Sequence, residues 1–171
     1  MQRWIDFLEN INERVGRGAA WLSTVLVVLV FLNVFARYVL NEPTAWSKEL
    51  EWHVFALLFL LAAGYALKHD RHVRVDLFYE KMSAQDQARV NFWGTLLFLL
   101  PWCLLVMWTG YRYAYQAYVI DEGSPEANGL ANRWLIKFAI PVGMFFLLTQ
   151  GLALLLRSWR TLRSPDQARE S

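Results

Sequence analysis

Charged and apolar positions separate along this chain into blocks. Gly18–Ala36 holds no Asp, Glu, Lys or Arg over 19 residues, Trp52–Leu67 none over 16, Val90–Tyr111 none over 22 and Phe138–Leu156 none over 19. A helix rises about 1.5 Å per residue, so about 20 residues cross the hydrocarbon of a bilayer. Three blocks meet that length directly. The second meets it if its helix begins near Ala45 and carries Glu49 and Glu51 in the interface. The blocks are apolar on every side, whereas helices of a soluble bundle are striped. The pattern predicts an all-α membrane protein with four transmembrane helices, at about 18–38, 45–67, 88–111 and 136–156. Residues 1–171 form a single four-helix membrane domain.

Between the blocks the periodicity changes. Trp4, Leu8, Ile11 and Val15 make one apolar stripe, with Arg3, Asp6, Glu9, Glu13 and Arg14 around it. Residues 2–16 are thus expected to form an amphipathic interfacial helix, and because the surrounding charges are mixed, its apolar stripe is expected to pack on protein at least as readily as on lipid. In the connection between the second and third spans, Val75, Phe78, Tyr79 and Met82 share one helical face, so an in-plane amphipathic helix is expected over 72–82. Ser83 followed by Asp86 has the spacing of a capping box for the next helix. The third helix is expected to outlast the membrane, because Trp108, Tyr111, Tyr115 and Tyr118 continue its period past the apolar block. An acidic turn, "DEGSPEANGLANRW", follows. Pro101 and Pro141 each predict a kink or a displaced helix start, and Gln150 is expected to face another helix.

Composition agrees: 56 % of the residues are hydrophobic and 16 % aromatic, with nine Trp. A net charge of +2 gives no steering toward nucleic acid. Charge distribution says more. Twelve basic residues lie in the N-terminal segment (Arg3, Arg14, Arg17), the central connection (Lys68, Arg71, Arg74, Lys81, Arg89) and the C-terminal tail (Arg157, Arg160, Arg163, Arg169). Five lie on the other side: Arg37, Lys48, Arg112, Arg133 and Lys137. Basic loops remain in the cytoplasm, so both termini and the central connection are expected there. The first block is too long for the core of a cleaved signal peptide, and acids as well as bases precede it. On the outer side Asn33 and Arg37 lie at the depth of Glu49 and Glu51. Arg37 with Glu49 is the expected ion pair, and Glu51 is the alternative partner. Cys103, the lone cysteine, reads as a small buried hydrophobe.

No nucleophile–base arrangement, phosphate-binding glycine loop or Cys/His metal spacing is present, so neither an enzyme nor a cofactor or metal site is expected. His53, His69 and His72 stand near membrane boundaries and not face to face at mid-depth, which disfavours a haem-bearing membrane anchor of a redox enzyme complex, the alternative reading. So few intramembrane charges also make a poor complete pump. The residues point to a membrane subunit of a larger complex.

"ARYVL", "AWSKEL" and "HVRVDLF", in that order, resemble the DctQ-like small permease subunit of TRAP (tripartite ATP-independent periplasmic) transporters. The resemblance runs from about residue 15 to 157. It rests on Arg37, Tyr38, Trp46, Ser47, Glu49, Leu50, Gly64 and His72 to Asp76, with "GLANRWLIKFAIPVG" matching the start of the family's fourth helix. Lys48 stands where an acidic residue is frequent. The resemblance implies a multi-pass protein of the bacterial inner membrane that takes part in ion-gradient-driven uptake of organic acids. The large permease subunit carries substrate and ions, a soluble periplasmic binding protein delivers the substrate, and the small subunit is a scaffold and docking surface. Arg37, Trp46, Glu49, Glu51, His72, Arg74, Asp76, Tyr115, Tyr118, Asp121 and Glu122 are the expected structural or partner-interface residues.

Overall fold

The computed structural model describes residues 2–41, 45–70, 79 and 81–163. Among them, four helices are long and apolar enough to cross a membrane: α1 (Gln2–Leu40), α2 (Ala45–Lys68), α3 (Ala84–Val119) and α4 (Trp134–Arg163). The expected four-helix layout is therefore present. At about 1.5 Å per residue, α2 is about 36 Å long and fits the bilayer, while the other three exceed its hydrocarbon by about 15–30 Å. These overhangs build the two ends of the molecule. The first turns of α1 and the last turns of α4 project at one end, the termini end. The last turns of α3 project at the other, the loop end.

The fourth helix organises the bundle. It packs against each of the other three, and α1 packs against α2 as well. In its most apolar stretch 39 % of residues are buried, against 11 % in each other helix. Lipid tails are as apolar as leucine, so close approach of backbones, not apolar burial, has to hold such helices together. Glycines supply it. A Cβ on Gly64 of α2 would lie 2.9 Å from the Phe146 carbonyl oxygen of α4, and one on Gly143 of α4 would lie 2.9 Å from the Leu60 carbonyl oxygen of α2. Gly16 likewise seats the Tyr65 ring, and Gly110 lies under Ile140 and Pro141.

Several local expectations hold. Ser83 caps α3, its hydroxyl accepting from the Asp86 N–H at 3.2 Å. Gln150 and Cys103 are buried. A π turn over Thr95–Leu99 ends two residues before Pro101, which lacks an N–H to continue the α-helical ladder. The displaced helix start expected at Pro141 is not found: α4 begins at Trp134 and runs through the proline.

The N-terminal segment differs from the expectation. Residues 2–16 are no separate interfacial helix, because the helix runs unbroken from Gln2 to Phe35. Its buried side is Ile5, Asn12, Gly16 and Ala19, whereas Trp4 of the expected stripe is exposed. The reason lies on α4. Asn12, only 1 % exposed, donates to Thr149 Oγ1 at 3.0 Å and to the Leu8 carbonyl, and this fixes the rotation of α1. The helix expected over 72–82 lies outside the described residues except for Tyr79, Lys81 and Met82. The Tyr79 hydroxyl accepts from Asn91 Nδ2 at 2.7 Å.

Candidate functional site at the loop end

Helix α1 closes with a π turn over Ala36–Leu40, and Asn41 takes the left-handed conformation that stops it. One turn into α2, Glu49 is 7 % exposed. A carboxylate at such burial must have its acceptor sites filled. The connection between α3 and α4 fills them. Ser124 Oγ donates to Glu49 Oε1, and the Leu130 N–H donates to Glu49 Oε2 at 2.6 Å.

The connection itself is ordered. Asp121, with φ 49°, occupies the left-handed position after α3, and the Glu122 N–H bonds the Ala117 carbonyl at 2.9 Å. This is the arrangement by which helices commonly end, here with Asp where glycine is usual. The Ser124 N–H donates to the Leu130 carbonyl at 3.1 Å, and the Glu126 N–H donates to Ser124 Oγ at 3.0 Å. The Arg133 N–H donates to the Glu122 carbonyl at 3.0 Å. Lys137, a buried cation on α4, pairs with Glu122 and stands 3.9 Å over the Tyr113 ring. The Arg133 guanidinium lies 5.6 Å from the Trp52 ring centre, and Tyr118 meets Trp134 edge to face.

These contacts redistribute the expected site residues. Glu49 and Glu122 are fixed in the bonds just described. Glu51 accepts from Asn33 Nδ2 at 2.7 Å, and Ser47 Oγ donates to Asn33 Oδ1. The expected Arg37 pair with Glu49 or Glu51 is absent. Both acids already have better-placed donors, and the π turn leaves Arg37 on the exposed side of α1. Trp46, Tyr115, Tyr118 and Asp121 are exposed at the same end. Tyr111, Arg112, Tyr115, Gln116 and Val119 line a shallow cavity of about 280 Å³ there. His72, Arg74 and Asp76 lie outside the described residues. Ser124, Gly129, Leu130 and Lys137 were not among the expected site residues. A lysine at the start of an apolar block was the one available signal for them.

The termini end carries a second polar cluster. Glu13 accepts from Lys68 Nζ at 2.8 Å, contacts His69 Nε2 at 2.9 Å and pairs with Arg17. Glu9 pairs with Arg157 at 2.6 Å. The Lys68 bond first, then His69, holds the Glu13 carboxyl down at about 2. Its ordinary value is 4.5, so its folded-state pKa is depressed. The cluster therefore stabilises the fold fully above pH 4.5 and loses that contribution as pH falls toward 2. Melting of purified protein against pH provides the check. Glu13→Gln should melt below the parent at pH 7, and the gap should close between pH 4.5 and about 2. A gap constant across that window would show that Glu13 does not act through its charge.

Neither cluster is a reaction centre. Both spend their charge on holding helices and loops in place. A family model described as tripartite ATP-independent periplasmic transporters, DctQ component, matches residues 26–161. Over 146 residues the chain is 25 % identical to the sialic acid TRAP transporter small permease protein SiaQ of Vibrio cholerae, covering 85 % of this chain and 79 % of that one. It is 29 % identical over 80 residues to the C4-dicarboxylate TRAP transporter small permease protein DctQ of the same organism, covering 44 % and 33 %. It is also 23 % identical over 126 residues to the sialic acid TRAP transporter permease protein SiaT of Haemophilus influenzae, covering 71 % of this chain and 20 % of that longer one.

Proposed function

The chain belongs to the DctQ component family of tripartite ATP-independent periplasmic transporters, and on that premise we propose that it is the non-moving scaffold of an ion-driven importer of organic acids. It is a transporter subunit of the inner membrane, not an enzyme, and its partner is the large permease subunit. Membership of this family sets aside the redox-anchor alternative.

The family match over residues 26–161 carries the reading. The physical organisation of the bundle supports it. Helices α2 and α4 meet at backbone level through Gly64 and Gly143, a contact that leaves no room for sliding. The ion pairs gather at the two ends, while the middle of each span is uncharged. A coupling ion or an acid substrate needs polar or charged groups at mid-depth, so the large subunit supplies them. Sialic acid and C4-dicarboxylates, named for two of the relatives, are both carboxylic acids, and the substrate class is assigned as organic acids. With both termini cytoplasmic, the loop end faces the periplasm and receives the soluble binding protein.

Reconstitution in liposomes under a sodium gradient tests this. The chain alone, the large subunit alone and the two together are each assayed with the binding protein. Uptake is expected only with both membrane subunits. Ion-driven uptake by this chain alone would overturn the scaffold role, and full uptake by the large subunit alone would make this chain dispensable.

A further inference from the structure

The connection between α3 and α4 is longer than connecting requires. The Arg133 N–H already bonds the Glu122 carbonyl at 3.0 Å, so the chain is closed at those two positions. Residues 123–132 are an excursion that leaves and returns to the same point. Compact loops whose ends meet, packed by their own side chains, are often functional. This one is also held from outside. Glu49, from a different helix and 75 residues away from Ser124, uses both carboxylate oxygens on it. Gly129 makes the approach possible. A Cβ there would lie 2.2 Å from Ser124 Oγ and 2.9 Å from Glu49 Oε2. The tip, Pro125 to Asn128, is exposed.

Resting on the docking reading above, we propose that Glu49 is a positioning residue, a buried latch that presets loop 123–132 in the shape on which the soluble binding protein docks. The tip presents the exposed Glu126 carboxylate, which fits a partner patch rich in Lys and Arg. Burying the carboxylate of Glu49 under this loop is costly in itself. That cost is offset if the loop would otherwise have to order each time a partner arrives, because presetting removes the entropic penalty from the binding step.

The test uses the assembled two-subunit complex in lipid nanodiscs and liposomes. Three variants are compared: Glu49→Ala and Gly129→Ala, which release the latch by independent routes, and Glu126→Lys, which alters only the tip. Amide hydrogen exchange at Leu130 reports the latch, and the binding-protein concentration giving half-maximal uptake reports docking. Both latch variants should speed exchange and raise half-saturation roughly tenfold, with plateau uptake unchanged. Glu126→Lys should raise half-saturation without altering exchange. Unchanged exchange in both latch variants would overturn the latch. So would faster exchange with unaltered half-saturation while Glu126→Lys still weakens docking. If none of the three moves half-saturation, the docking reading falls and the latch falls with it.

Discussion

Gly64→Val and Gly143→Val are each expected to lower the melting temperature of the purified subunit sharply and to reduce its accumulation in the membrane. The two glycines lie on facing helices at one crossing. The first Cβ carbon at Gly64 would sit 2.1 Å from Asn12 Oδ1 and 2.9 Å from the Phe146 carbonyl oxygen. At Gly143 it would sit 2.7 Å from Leu60 Cβ and 2.9 Å from the Leu60 carbonyl oxygen. A side-chain end can swing aside, but a backbone carbonyl in a helix cannot, so the helices must separate. Overpacking of this kind costs about 1–3 kcal/mol, and more where backbone is struck. The two effects should not add. Once the first valine has separated α2 from α4, the second meets less, so the double variant should lose less than the sum of the singles. Gly18→Val and Gly94→Val are the controls, since nothing lies within 4 Å of a Cβ at either position. Equal melting temperatures for Gly143→Val and Gly18→Val would remove the glycine crossing as the basis of the bundle.

An all-or-none result is expected for sidedness. In a Cys103→Ser background, Ser83→Cys should react with a membrane-impermeant maleimide only after the cytoplasmic face is opened, and Gly123→Cys should react in intact spheroplasts. We propose this orientation from the twelve-to-five division of basic residues, which the positive-inside rule converts into direction. The two positions are well chosen structurally. Both are exposed, they lie at opposite ends of α3, and nothing lies within 4 Å of a Cβ at Gly123. Native Cys103 is fully buried, so its removal costs little reactivity and cleans the background. Labelling of Ser83→Cys from outside would invert the orientation and move the docking surface to the wrong compartment.

The spans were legible because the signal for them is local: length and absence of charge within one stretch. The Ser83 cap was legible for the same reason, since its partner is three residues away. The Arg37–Glu49 pairing failed because depth along two helices gives height and not azimuth. Sequence places both residues near the outer boundary, but it does not say that Ser124 and Leu130 approach Glu49 from a third direction. The N-terminal segment was misjudged because its stripe of Trp4, Leu8, Ile11 and Val15 marks an amphipathic face but not where the helix ends. In the fold Gly16 seats Tyr65 and the helix continues. Asn12 is placed by Thr149, a partner 137 positions later that no local pattern reveals.

The hub position of α4 has a consequence for how the protein is made. Glu9 and Arg157 are separated by 148 positions, and Gln2 bonds Arg160 across 158. At 5–20 residues per second, synthesis of that interval takes on the order of ten seconds. Through most of it the beginning of the chain has left the ribosome while the helix it rests on does not exist. Asn12 waits without Thr149, and α1 and α2 can meet only each other. The subunit therefore matures from its last helix backward. A ribosome stalled before Trp134 leaves a three-helix intermediate with its central seam open.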